Sequence, residues 1–270
     1  MLKGWFMRVI KRGLEVLSEE GVRALIKKAS VRFMNFIKEP LLYCSSLGYI
    51  LAPLLAKKFR DSIVILDGIY DALDLAFSFQ ALGVSIKPAQ VREEIAKLLE
   101  LVAGLRPRVV LEIGTERGGT LFLFTRVADP NAKIISLDLP DGPFGGGYPR
   151  WKVPLYKSFA RGGQRIYLLR RDSHDPRTLE EVERILGGEK VDFLFIDGDH
   201  TYEGVKRDFE TYSLLVREGG IIAFHDICPH PPETKCEVSR FWDEVKQRYK
   251  YAEIVEDWNQ KWAGIGVLYV

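Results

Sequence analysis

Two histidines in this sequence stand within three residues of an aspartate, each where an apolar run ends. One run closes Phe195-Ile196-Asp197-Gly198-Asp199-His200-Thr201, and another closes Ile222-Ala223-Phe224-His225-Asp226. An imidazole beside a carboxylate can move a proton near neutral pH or help to hold a cation. Three earlier runs end in residues of different use. Val110-Leu111-Glu112-Ile113-Gly114-Thr115-Glu116-Arg117-Gly118-Gly119 offers glycines whose bare backbone can approach a ligand and present amide donors where a helix starts. Its GxxxGG spacing is not the GxGxxG of dinucleotide pyrophosphate sites, and alone it is a weak signal. Asp138 ends the next run, 24 residues after Gly114, where a carboxylate can accept two hydrogen bonds from a ribose diol. Asp172 follows Leu169-Arg170-Arg171, placed to accept from an adenine amino group. Titratable groups gathered at strand ends make a catalytic hypothesis.

Those ends need elements behind them. From Arg108 onward, short apolar runs alternate with helical stretches. Strands are expected at 109–113, 133–138, 165–169, 191–196, 220–224, 252–257 and 264–270. Helices are expected at 118–128, 153–161, 178–186, 202–216 and 238–248. Strands separated by helices imply a mostly parallel sheet in an α/β fold. The last two have no helix between them and should pair as a C-terminal antiparallel hairpin. Upstream, 69–82 and 88–103 read as helices, the second opened by Pro88.

Residues 1–87 form an expected helical extension to a domain spanning 88–270. Within residues 1–39, Phe6, Ile10, Leu14 and Leu17, then Val22, Leu25, Ala29, Phe33 and Phe36, recur at helical spacing. Nine Lys or Arg face four Glu there, so this pair can rest on an acidic membrane surface, cover a core or make a dimer contact. Residues 40–56 carry no charge but are too short, and too interrupted by Gly48 and Pro53, to span a bilayer. The expectation is peripheral membrane contact through 1–56 at most, and a homo-oligomer. The formal charge of +2 on 270 residues excludes a polycation built for nucleic acid. Cys44, Cys228 and Cys236 are too few for a disulfide scaffold, and the N-terminus lacks a signal peptide's form, so a cytoplasmic protein is expected. Cys228 and Cys236 flank His230 and could bind metal or pair, but without a CxxC spacing they read as two loop thiols.

Together, LEIGTERGGT, SLDLPD, RRDS, FIDGDHTYEGVKRDFE and IIAFHDI resemble the class I S-adenosylmethionine-dependent methyltransferases. The resemblance is strongest to the branch holding cephalosporin-hydroxylase-like and macrolide-sugar O-methyltransferases, and it covers residues 88–270. It implies a Rossmann-like seven-stranded sheet and transfer of a methyl group to a small hydroxyl acceptor such as a sugar or glycoside. Carried onto this sequence, it places Glu112, Gly114 and Thr115 at the methionine end of the cofactor, with Gly118 and Gly119 holding the turn. Asp138 takes the ribose, and Asp172 and Ser173 lie by the adenine. Asp197 and His200 become catalytic, His200 as general base. Asp197 and Asp226 would hold Mg²⁺ or another divalent cation, with His225 in the position where relatives offer an oxygen ligand.

His225 suits magnesium poorly and a transition ion better. The connection 139–164 is long, and with Gly145-Gly146-Gly147, Tyr148, Trp151, Tyr156 and several cations it reads as a substrate lid. Trp258 and Trp262, between the last two strands, read as packing or dimer residues. The alternatives are a nicotinamide-dependent oxidoreductase, a metal-dependent hydrolase using Asp197, His200, His225 and Asp226, and a non-enzymatic membrane module.

Overall fold

A computed structural model describes residues 46–64, 66–140, 142, 144 and 147–270; the expected helices of 1–39 lie outside these residues. Five strands, β3 (Val109–Ile113), β4 (Lys133–Leu137), β5 (Arg165–Leu169), β6 (Val191–Ile196) and β7 (Val216–His225), lie parallel in the order β5-β4-β3-β6-β7. Two more, β8 (Lys250–Ile254) and β9 (Ile265–Tyr269), complete a seven-stranded sheet. The last two pair antiparallel as expected, and β9 also pairs antiparallel with β7, so the final strand is inserted between β7 and β8. Three strands, 109–113, 165–169 and 191–196, have the expected bounds. The mostly parallel α/β sheet is the Rossmann-like fold that the motifs imply.

Alternation along the strands divides two cores. Val110, Ile134, Phe193, Phe195 and Val267 face one side, against α1 (Ser46–Ile63), α2 (Ile69–Ser78), α3 (Arg92–Leu105), α4 (Gly119–Val127) and α5 (Val153–Lys157). Leu111, Ile135, Leu194, Ile222 and Leu268 face the other, against α6 (Pro176–Leu186), α7 (Tyr202–Tyr212) and α8 (Val238–Val245). Residues on both sides of position 88 contribute to the first core.

Residues 46–63 are one helix despite Pro53, and Leu55 and Phe59 are fully buried in it. Gly48 lies so close to Trp151 that a Cβ would meet the indole at 2.7 Å. Among the described residues no helix is long and apolar enough to cross a membrane. Helix α2 stops at Ser78 rather than 82, because Phe79 turns extended and a hairpin of β1 (Gln80–Ala81) and β2 (Val84–Ser85) follows. Leu82 and Gly83 take positive φ in its turn, which no continuing helix allows. Helix α3 begins at Arg92 instead of 88; residues 86–88 pack against Gly119, where a Cβ would come within 2.3 Å of the Ile86 carbonyl.

The three aromatics expected in the lid are core instead. Tyr148, Trp151 and Tyr156 are at most 2% exposed; Tyr148 meets Tyr156 edge-on at 4.8 Å, and Tyr156 meets Phe159 tilted at 5.4 Å. Trp258 and Trp262 are about half exposed rather than packed. Far from the sheet tips, Phe59 meets Phe79, Phe122 and Phe159 edge-on or tilted at 4.6–5.0 Å. Phe59→Ala should cost about 3–5 kcal/mol of stability. Urea unfolding checks this, and a loss under about 1 kcal/mol would show that α1 is only draped on the domain.

Candidate active site

The strand register sets the site. Ile113 pairs with Leu137 and with Ile196, and Ile196 with Phe224, so the residues that follow emerge at one level. Backbone bonds carry the alignment past the strands: Gly114 N donates to Leu137 O at 2.9 Å, Asp138 N to Leu169 O at 2.9 Å, and Asp197 N to Ile113 O at 2.8 Å. Gly114 has φ +97, and a Cβ there would lie 2.0 Å from the Asp197 carbonyl oxygen. Only glycine lets the β3 loop pass so close beneath the β6 tip.

A cleft opens over these tips, lined by Gly114, Asp138, Asp172, Ser173 and Asp197 among others, with Leu139, Gly142 and Phe144 from the start of the expected lid. Asp138 is 5% exposed and accepts from Glu116 N at 2.8 Å and Gly147 N at 2.9 Å. Burial pushes its carboxyl up to about 6 against those donors. Asp172 accepts from His174 N at 2.8 Å at the exposed rim. His174, not foreseen, also lines the cleft; its Nε2 is 3.2 Å from the fully buried Asp208, whose hydrogen bond raises the ring's pKa.

Four expected contacts lie outside the cleft lining. Glu112 is fully buried beneath it, accepting from Thr120 Oγ1 and Ser136 Oγ, both at 2.5 Å. Thr115 is 2% exposed and bonds to Ser136. Gly118 supports the turn: its φ is +83, Tyr156 lies under it, and the Tyr156 hydroxyl donates to Glu116 O at 2.9 Å. Gly119 serves the packing against 86–88.

Beside the cleft, imidazoles surround two carboxylates. His225 Nδ1 spans Asp197 Oδ1 at 3.1 Å and Asp226 Oδ1 at 3.3 Å. His200 bridges them too, with Nε2 3.5 Å from Asp197 Oδ1 and Nδ1 3.2 Å from Asp226 Oδ2. Phe144 stacks on His200 at 4.9 Å. Gln90 donates to Asp197 Oδ2 at 2.7 Å, and Ala263 N to Asp226 Oδ1 at 3.0 Å. Asp226 takes φ +63, a conformation aspartate tolerates, which aims its carboxylate inward. Burial works against every charge here, and pairing overrides it. Asp197 and Asp226 are held below the usual carboxylate range by His225 and His200. His200, bonded to Asp197 and Cys236, keeps its proton up to about 10.

Two loop residues that the spacing gave no reason to choose complete the cluster. His230 Nε2 is 3.2 Å from Asp226 Oδ1, and Cys236 hydrogen-bonds both His200 and His230, which lower its thiol pKa despite burial.

Residues 111–227 match the sequence profile of a family described as a methyltransferase domain. The match takes in β3 to β7, the strands whose tips form the cleft. An uncharacterised protein of Acanthamoeba polyphaga mimivirus is 34% identical over 116 residues, which are 43% of this chain and 50% of that protein. An uncharacterised protein of Sinorhizobium fredii is 29% identical over 132 residues, 47% of this chain and 14% of that protein. The chain thus spans half or less of these curated relatives. The structure of a putative O-methyltransferase from Klebsiella pneumoniae aligns with TM-score 0.52 and 16% identity, over 80% of this chain and 96% of that one. That likeness bears out the fold.

The donors gathered here do not fit magnesium. Magnesium demands an oxygen octahedron at about 2.0–2.1 Å. Here Asp197 and Asp226 already face nitrogen at both oxygens, and the nearest further donors are imidazoles and a thiol. His225, expected as a ligand, instead spans the two carboxylates as a hydrogen-bond donor.

Glu112 gives the domain a pH signature. Burial, against hydrogen bonds from Ser136 and Thr120, lifts its carboxyl from 4.5 to about 8. The folded state therefore holds a proton that the unfolded chain has released, and stability falls as pH rises from about 4.5 to about 8. Glu112→Gln should flatten that fall in urea titrations across the interval. An unchanged slope would mean that Glu112 is ionised where it lies.

Proposed function

We propose that the domain binds S-adenosylmethionine across the strand tips and methylates a hydroxyl oxygen of a small acceptor, such as a sugar or glycoside. The observation that carries this is the meeting of Asp138, Asp172 and Asp197 in one cleft, over a glycine loop at a helix start. When bound, the sulfonium supplies an activated methyl group. Asp138, with two acceptor oxygens at a strand end, takes the ribose hydroxyls. Asp172 and Ser173 flank the adenine. Gly114 and the amides behind it receive the methionine end, while Glu112 and Thr115 act from below by holding the floor rigid through Ser136.

The acceptor must offer an oxygen lone pair in line with the methyl carbon. His200, the base implied by the resemblance, is engaged by a carboxylate at each ring nitrogen, and of the two only Asp197 lines the cleft, so acceptance falls to Asp197. Asp197 takes the hydroxyl hydrogen bond, and then the proton as the carbon–oxygen bond forms. His200 and His225 keep that carboxylate ionised beforehand. Phe144 and Leu139 line the cleft with apolar surface.

Calorimetric titration with S-adenosylhomocysteine should show micromolar binding, weakened about tenfold or more (about 1.4 kcal/mol) by Asp138→Asn. Absence of binding to the wild-type protein overturns the proposal.

A further inference from the structure

We infer that His200, Asp226 and Cys236, with His230, form a binding site for a transition-metal ion of the zinc or iron(II) class beside the cofactor cleft. The inference stands on the cluster itself and does not require that methyl transfer be the reaction.

One donor atom each from His200, Asp226 and Cys236 lies within 4.8 Å of the other two. His200 Nδ1 and Asp226 Oδ2 are already 3.2 Å apart. Bonds of about 2.0–2.3 Å place tetrahedral ligands roughly 3.3–3.8 Å from one another. Small side-chain rotations therefore close the set around an ion.

His230 stands outside that trio but turns a ring nitrogen toward it. Its Nδ1 lies 2.8 Å from the Cys228 carbonyl, which can only accept, so Nδ1 carries the hydrogen. That leaves Nε2, 3.2 Å from Asp226 Oδ1, as the nitrogen turned to the cluster. A carbonyl that fixes the far nitrogen is the usual support of a metal-binding histidine. The loop is tied in place as well. Glu237 N donates to His200 O at 2.8 Å and Cys236 N to Thr234 Oγ1 at 3.2 Å, drawing the thiol alongside the imidazole.

The donor set selects the ion. Two imidazoles, a thiol and a carboxylate suit zinc, iron(II) or cobalt(II), whereas magnesium and calcium favour oxygen alone. The side chains of His200, His230 and Asp226 are 21%, 9% and 8% exposed, sheltered from water yet reachable.

Chelator-treated full-length protein titrated with Co²⁺ should show one tightly bound equivalent. Its visible spectrum should be that of a tetrahedral ion, with a near-ultraviolet sulfur-to-cobalt charge-transfer band. Zn²⁺ should abolish the spectrum, and excess Mg²⁺ should leave it unchanged. Cys236→Ser should lose the charge-transfer band while Cys228→Ser keeps it, and His230→Gln should weaken Co²⁺ binding about tenfold or more. No Co²⁺ binding would leave only a cluster of imidazolium–carboxylate pairs and overturn the inference. So would a charge-transfer band that survives Cys236→Ser, or displacement of cobalt by magnesium. Titration of the same samples with S-adenosylhomocysteine reads the cofactor cleft separately; its failure with an intact cobalt spectrum would sink the methyl-donor reading alone.

Discussion

Two carboxylates held mostly out of water set the terms for this site. Ionised groups in a low-dielectric interior persist only when each is matched by opposite charge and hydrogen bonds. Asp197 and Asp226 meet that condition through His200, His225 and His230, with Gln90 and the Ala263 amide filling the remaining directions. Removing one partner would leave a bare charge, so the cluster is a mutual arrangement rather than a set of independent contacts. Its members come from α3's leading segment, the β6 and β7 tips, the loop before α8 and the loop before β9. Five parts of the chain must be in register for it to exist.

That register depends on the sheet and on one close approach. The β3 loop slides beneath Asp197 only because Gly114 has no side chain, and the two tips are thereby locked at one height. Glu94, fully buried on α3, fixes the opposite rim: its carboxylate accepts from Glu256 N, Gln260 Nε2 and Gly264 N at 2.8–3.0 Å. Ala263 and Gly264 are thus held where Ala263 N can reach Asp226. The helical layer and the rim of the site form one mechanical unit.

Much of this was legible in the residues. Buried parallel strands read as apolar runs, and the polar residue that ends each run falls at a sheet tip, so Asp138, Asp172, Asp197 and His225-Asp226 could be gathered from order alone. Glu112 could have been read better: alternation puts it on the same face as Val110, toward α4, where Thr120 receives it. The glycines and cations around Tyr148, Trp151 and Tyr156 suggest a surface, whereas Trp151 and Tyr156 lie on the buried side of a short helical turn and Tyr148 packs just ahead of it. Gln90 lies 107 residues from its partner Asp197, and His230 and Cys236 enter through a proline-shaped loop; no local pattern announces such contacts.

The place of β9 carries a consequence for how the chain matures. The last strand in sequence order lies between two earlier ones, so β8 has no partner until residues 265–269 arrive. During synthesis the growing chain must carry β7 with an open edge and β8 unpaired. Sheet closure, and with it the positioning of Ala263 against Asp226, waits on the end of the domain emerging from the ribosome. Such late, long-range pairing is slow and leaves edges exposed to aggregation.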